Sequence, residues 1–484
     1  IDDCGECDGN GWDNCDYNEN GITNYDEWGY GIWGAIVADV DNDQGGWVDL
    51  SFNKSFYDTD ILRTVEIYTI QRWEEDHWTS LHSISAYADE VYYTIVMTAA
   101  DSSSTTDGST LFRVIANMDE GNFENNEEIW GYSVDNISPI VPTQMSASST
   151  ENNVTLSWNY EMESDFQYHQ VTSLDDINYT TENNHDFVLG ETAHQEHWVN
   201  AFDTHDNVSE NSHSLMSKSL HSGANLSSFN VLPECTSLPC VFESMCSNSP
   251  NPTGVIGQGE AAIHLGNCVF QGSLSEIDPN SGYWIIMSEN DVLLLMGEPT
   301  SRELAYTLQE GANLISYPFR YATVLEEAIP VDAQASISGI IGEGVAANNM
   351  NGNWMGSLSH LDGSNGYWFI TSSDISLTFN GCDEQECASL SRQSQNLSTV
   401  PEGYEYKQST TQAFYFIEDI ENIEIGDWIL SYNGDEVIGA RAWTGDIIDI
   451  PTMGNDGSDY TKGYIESGAV PSFKILRGDE LINL

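Results

Sequence analysis

The sequence predicts an all-β protein, a string of small β-sandwich modules with a tandem β-rich repeat and a β-rich C-terminal module. Three observations predict this. Short alternating or β-branched runs recur about every ten residues between clusters of Gly, Asn, Asp and Ser, while long amphipathic helical patterns are nearly absent. The length of 484 residues exceeds what one core supports at roughly 150 residues per domain, so several modules are expected. An aromatic fraction of 11% indicates packed cores in spite of a net charge of -64.

Residues 1–33 read as a Cys-rich segment with a calcium loop. From Asp16 to Glu27, oxygen side chains fall at positions 1, 3, 5, 9 and 12 of a twelve-residue loop, with Gly21 at the sharp turn and the Ile22 carbonyl at position 7. Such a hard oxygen cage suits Ca²⁺, and Asp16, Asn18, Asn20, Ile22, Asn24 and Glu27 are the expected ligands. The loop resembles thrombospondin type 3 and dockerin-like calcium repeats, with carboxamides at Asn18 and Asn20 in place of the usual aspartates, which lowers the ligand charge.

Residues 34–136 hold candidate strands Trp47–Phe52, Val65–Trp73, Val91–Thr98 and Phe112–Ala116, enough for one sandwich. Residues 137–220 open with Val154-Thr155-Leu156-Ser157-Trp158 and close with His197-Trp198-Val199-Asn200-Ala201-Phe202-Asp203. These segments resemble fibronectin type III domains of secreted bacterial proteins, and 34–136 looks like a divergent fibronectin III/Ig-like copy. The resemblance implies spacer or adhesive modules.

A duplication follows in 221–300 and 301–387. Gly223-Ala224-Asn225-Leu226 recurs as Gly311-Ala312-Asn313-Leu314, Gly254–Ala262 as Gly339–Ala347, and Gly272–Trp284 as Gly356–Trp368, in the same order. This Gly-Tyr-Trp unit resembles repeats of multi-domain secreted proteins of marine bacteria. Residues 388–484 look like a β-rich C-terminal module of the same proteins. Because the chain starts at Ile1 and ends at Leu484 without a sorting tail, processing or truncation at both ends is expected.

The 13 Lys and Arg against 77 Asp and Glu exclude nucleic acid and anionic membrane surfaces as partners, since both require clustered cations. No apolar run is long enough to span a membrane. Nine cysteines lie in three groups, Cys4, Cys7 and Cys15; Cys235, Cys240, Cys246 and Cys268; and Cys382 and Cys387. Local pairs of this kind read as disulfides of an oxidising compartment, with connectivity open and one thiol over. For Cys4 and Cys7 a disulfide staple is weighed against half a zinc site or a redox pair, and no second CxxC completes a four-thiolate site.

The acidic groups Asp39, Asp41 and Asp43; Asp58 and Asp60; Asp427, Asn433 and Asp435; and Asn455, Asp456 and Asp459 offer hard oxygen ligands for Ca²⁺ or Mg²⁺, but composition alone produces such clusters, and they are read as solvated turns. No catalytic machinery is legible: His194 and His197 sit three apart on a strand and face opposite ways, and there is no Gly-x-Ser-x-Gly elbow or phosphate loop. The expectation is a non-enzymatic, extracellular or cell-surface structural or adhesive protein, the subunit of a calcium-stabilised filament or matrix. Self-association is expected head to tail by β-strand addition, with 1–33 and Phe473–Leu484 as donors. The alternative is a carbohydrate-binding accessory region of a secreted polysaccharide-degrading enzyme, with Trp284 and Trp368 stacking on surface glycans.

Overall fold

A strict period of two builds the first module. In Trp47–Asn53, Val48, Leu50 and Phe52 are buried while Trp47 and Asp49 are exposed, a pattern only a strand with one face on a core satisfies. The computed structural model describes residues 29–62, 65–103, 105–150, 153–174, 176–189, 194–246, 251–381 and 399–484. The expected calcium ligands and Cys4, Cys7, Cys15, Cys382 and Cys387 lie outside the described residues. The described chain falls into two compact units, one drawn from 1–140, 162–168 and 201–209, the other from the remainder.

The first module comprises β1 (Trp33–Asp39), β2 (Trp47–Asn53), β3 (Ile67–Glu74), β4 (His77–Ser85), β5 (Val91–Met97), β6 (Asp101–Ser102), β7 (Thr110–Met118), β8 (Gly121–Glu124), β9 (Ile129–Gly131) and β10 (Ser133–Val134). One sheet runs β1-β2-β5 and the other β4-β3-β7-β8, with β9 also on β7. This three-on-four antiparallel order is that of a fibronectin III-like sandwich. Val48, Leu50, Phe52, Tyr68, Ile70, Tyr92, Val96, Phe112 and Val114 fill the space between the sheets.

The second module repeats the order with β11 (Thr143–Thr150), β12 (Asn153–Asn159), β13 (Phe166–Ser173), β14 (Ile177–Thr180), β15 (Asn184–Val188), β16 (His194–Asp203) and β17 (Ser214–Leu220). Its sheets are β11-β12-β15 and β14-β13-β16-β17. Trp158 lies in the core with Val154, Leu156, Val171, Val199 and Leu215. β17 is buried on both faces except at Ser219, so it is not an edge strand. Asp291–Pro299 pairs with it over seven residues, from Ser214 opposite Gly297 to Leu220 opposite Asp291. The sheet of the second sandwich thus runs across residue 220, where a module boundary was expected.

The duplicated segments fold alike. Gly223–Ser227, Tyr283–Met287, Gly254–Ile256, Ala261–His264 and Phe270–Gly272 form one five-stranded sheet, and Gly311–Ile315, Tyr367–Thr371, Ile337–Ile341, Ala346–Met350 and Asn353–Gly356 form its counterpart in the same strand order. Asn225 and Asn313 play one role in both: the side-chain oxygen accepts from the backbone N–H of His221 or Gln309, and the amide donates back to the same residue's carbonyl at 2.8 Å. That reciprocal clasp explains why Asn stands inside the repeated Gly-Ala-Asn-Leu. In the last module Trp428–Asn433, Glu436–Ala442, Ser472–Arg477 and Glu480–Asn483 form a four-stranded sheet, beside a Gln412–Ile417 and Ile448–Met453 pair.

Two imidazoles sit in the second sandwich's interior. His169 is wedged between Trp158 and Tyr160, with ring centroids 5.2 and 4.7 Å away, and burial pushes it down to about 4. His197 stacks on Phe187 at 3.8 Å, and burial pushes it down to about 3. Both folded values lie below the ordinary 6.5, so on acidification the unfolded chain takes up these protons first. Stability is therefore predicted to fall as pH drops from about 6.5 towards 4, by on the order of 2 kcal/mol per ring. His169→Phe and His197→Phe should flatten that limb in a melting-temperature series against pH.

Candidate functional site

The acidic turns singled out in the sequence are bound up with the backbone. Asp39 accepts from the Val134 N–H at 2.8 Å and the Asn136 amide at 3.0 Å. Asp58 is fully buried and accepts from the Tyr68 and Tyr92 hydroxyls and the Ala88 N–H, at 2.9, 2.5 and 2.7 Å. Burial, reinforced by this carboxylate, drives both phenols well above their usual range. Asp427 is gripped by Arg477 and accepts the Glu424 N–H. Asp456 accepts from Ser458, Thr461 and Thr410; burial pulls its carboxyl up, but these donors outweigh that and hold it below the usual range. Asp58 is thus a core acceptor rather than the solvated turn residue expected. His197 is likewise a core ring.

Cys235–Cys240 and Cys246–Cys268 are disulfides. They bracket the two helical turns Leu238–Val241 and Glu243–Cys246, which carry Leu238, Val241, Phe242 and Met245 into the core of the first repeat.

A cluster invisible to motif reading lies in the first compact unit. Ligand atoms of Asp135, Asp203 and His205 fall within 4.8 Å of one another. His205 Nδ1 is 3.0 Å from Asp135 Oδ2, and its Nε2 is 3.7 Å from Asp101 Oδ2. Burial holds the Asp135 carboxyl above the usual range. Asp203 accepts the N–H groups of His205 and Asn207 at 2.8 and 2.9 Å on Oδ1 and the Asn207 amide at 2.9 Å on Oδ2. With its acceptors met from its own loop, the arrangement works as a polar staple between the 201–209 loop and Asp135, where Asn207 also donates to the Asp135 carbonyl at 2.9 Å. The signal lay in Asp203-Thr204-His205-Asp206-Asn207, but Asp101 and Asp135 are too distant in sequence to be joined to it by inspection.

The two repeats meet through related contacts. Gly282 N–H donates to the Leu314 carbonyl and Gly366 N–H to the Leu226 carbonyl, at 3.2 and 3.3 Å. Gln258 accepts the Leu314 N–H at 2.8 Å and Glu343, its counterpart, accepts the Leu226 N–H at 2.7 Å. Ala224, Leu226, Trp284 and Leu314 form the dry centre, with Trp368 packed against it. Trp284 is only 2% exposed, so it offers no open ring face for a sugar. The glycine of each Gly-Tyr-Trp allows this approach: a Cβ on Gly282 would stand 2.8 Å from Leu314 Cδ1, and one on Gly366 2.8 Å from the Ser227 carbonyl oxygen. At one end His221 Nε2 lies 2.6 Å from Glu343; burial lowers the imidazole, but the Glu343 hydrogen bond and charge outweigh it and raise it overall.

An exposed apolar row lies on the first sandwich. β5 is an edge strand. Its Tyr92 and Val96 point into the core while Val91, Tyr93, Ile95 and Met97 point out, Tyr93 at 76% and Ile95 at 54% exposure. Trp47 stands opposite Met97 on β2, and Ile36 on β1 is also exposed.

No family model and no curated protein matches this chain. Among solved structures it is similar to the crystal structure of the chicken CNTN1 FN1–FN3 domains, at 12% identity over 55% of this chain and 98% of that one, with a TM-score of 0.19. Such an overlap carries no argument, and the sandwich assignment rests on strand order. Among the described residues no helix is long and apolar enough to cross a membrane.

Gly282→Ala and Gly366→Ala are predicted to destabilise by about 1–3 kcal/mol each, the usual range for overpacking against fixed neighbours. Because both act on one seam, a double-mutant cycle read by urea unfolding should show coupling, with the pair costing less than the sum.

Proposed function

We propose that this chain is a secreted or cell-surface structural or adhesive protein that assembles into a calcium-stabilised filament or matrix. The observation that carries the reading is the outward row of β5. An edge strand presents unpaired N–H and C=O groups to another chain, and natural edges are usually blunted with charge. Here, in a protein of net charge -64, Val91, Tyr93, Ile95 and Met97 carry none and are flanked by Trp47 and Ile36. Strand addition at this edge combines main-chain hydrogen bonds with an apolar grip, and it avoids broad contact between acidic faces. The donor is proposed to be the N-terminal segment 1–33, because Phe473–Leu484, the other terminus expected to donate, already supplies two strands of its own module's sheet; copies then join head to tail in an open series. The paired cysteines and absence of catalytic machinery in the sequence accord with an extracellular, non-enzymatic role.

Two measurements test this reading. Tyr93→Lys with Ile95→Lys should leave a folded monomer by circular dichroism and abolish self-association in sedimentation runs with calcium and high salt. Wild-type protein that stays monomeric at micromolar concentration under those conditions removes the filament reading. Calcium is assigned to Asp16, Asn18, Asn20, the Ile22 carbonyl, Asn24 and Glu27 from their spacing. Asp16→Ala with Glu27→Ala should erase the calcium dependence of the melting temperature, and an unchanged dependence places the ion elsewhere.

A further inference from the structure

The 13 basic side chains are scarce, and one of them is fully inside. Lys218, on β17, is 4% exposed. Its Nζ donates to the Ser364 carbonyl and lies 3.2 Å from Asn365 Oδ1, across 147 residues of sequence. The Tyr367 hydroxyl accepts the Asp362 N–H at 2.8 Å and donates to the Asp362 carbonyl at 3.3 Å, which holds the loop that carries Asp362 and Asn365. Asp362 lines the same cavity of about 260 Å³. It is 8% exposed, and its Oδ1 is buried with no hydrogen-bond partner. An amine and a carboxamide oxygen thus meet at 3.2 Å, and a carboxyl with one unpartnered oxygen lines the same cavity.

The sister half of the seam keeps the carboxyl but has neither the amine nor the carboxamide. At the repeat offset of 88 the counterpart of Lys218 is Tyr306, and at 84 the counterparts of Asn365 and Asp362 are Ser281 and Asp278. There Tyr306 meets the Ser316 hydroxyl at 2.8 Å, and Ser316 reaches the Pro279 carbonyl at 2.6 Å. A neutral relay is therefore sufficient to hold the seam, and packing alone does not call for a buried amine.

We propose that Lys218 and Asn365 close an intramolecular isopeptide bond across the seam, with Asp362 as the proton carrier. The lone pair of the uncharged Lys218 amine attacks Cγ of Asn365, forming the Nζ–Cγ bond and a tetrahedral centre. The proton leaving Nζ passes through the Asp362 carboxyl to Nδ2, the Cγ–Nδ2 bond breaks, and ammonia departs. An amine and a primary amide become a secondary amide and ammonia, with no redox change and no further reactant. Burial supplies the protonation states: desolvation pushes Lys218 down to about 8 and Asp362 up to about 7, so neutral amine and protonated carboxyl are both accessible near neutral pH. The fixed proximity replaces an encounter in solution, which is what makes an otherwise sluggish amide exchange feasible. This inference is independent of the self-association reading.

The test is the intact mass of the reduced chain, followed by a peptide digest. The expected result is a mass lower than that of the sequence by one ammonia, a linked peptide pair containing Lys218 and Asn365, and the full mass in both Lys218→Met and Asp362→Asn. A succinimide at Asn365-Gly366 also loses ammonia, but it leaves no linked pair and persists in Lys218→Met; that result overturns the proposal. So does a full-mass wild type without a linked pair after prolonged incubation at pH 8, or a loss of one water with Lys218 joined to Asp362. If either variant fails to fold, the wild-type mass and the wild-type digest together decide, since only the isopeptide gives both the ammonia loss and the linked pair.

Discussion

Scarcity of positive charge is the constraint around which this molecule is organised. With 13 cationic side chains against 77 acidic ones, long-range repulsion opposes compaction, and each cation matters by where it sits. Several in the second compact unit sit where separate segments meet. Arg320 reaches Glu196 at 2.7 Å and lies over the Trp198 ring at 4.4 Å, while Asn230 takes the other Glu196 oxygen at 3.0 Å. Arg441 pairs with Asp449 at 3.1 Å and donates to the Gly344 carbonyl at 2.6 Å, so a charge in the last module also holds the second repeat. Buried pairs of this kind add little net stability beyond an apolar substitute, yet losing one partner is costly. Their contribution is to fix register between segments whose apolar contacts supply the cohesion.

The acids meet the same constraint from the other side. A carboxylate that has no cation to pair with accepts from backbone N–H groups and hydroxyls, as Asp39, Asp58, Asp203 and Asp456 do. Each acceptor closes a turn or pins a loop, so part of the acidic load becomes local structure. Clusters such as Asn455, Asp456 and Asp459 look like cation sites on paper for the same reason: turn geometry and metal coordination draw on the same short oxygen-bearing side chains.

This also explains which parts of the fold were legible in the sequence. Strands with one face on a core declare themselves by alternation, as Val48, Leu50 and Phe52 do, and the duplication is written in repeated words. What periodicity does not carry is which strand lies beside which. The continuous burial of β17 reads equally well as a last strand or a central one, and its pairing with Asp291–Pro299 depends on residues some 80 positions away. The aromatic core position of His169 and the Asp135–His205 contact were hidden for the same reason, since both arise from tertiary proximity. The calcium loop, the most specific chemical pattern in the sequence, lies outside the described residues and stands on its spacing.

Duplication gives two copies of a unit and leaves open how they meet. Gly282 and Gly366 settle that locally, because only a residue without a side chain lets the neighbouring strand come so close. Once the copies face each other, each position occurs twice in nearly the same surroundings, and one member of a pair can change while the other keeps the seam closed. Gln258 and Glu343 illustrate this: both accept a leucine N–H, but only the carboxylate also holds His221. Tyr306 and Lys218 go further, since the phenol reaches the opposing loop through Ser316 while the amine touches it directly. The scarce charges therefore sit on a seam that packing closes in both halves, in the half where an acid or an amide receives them.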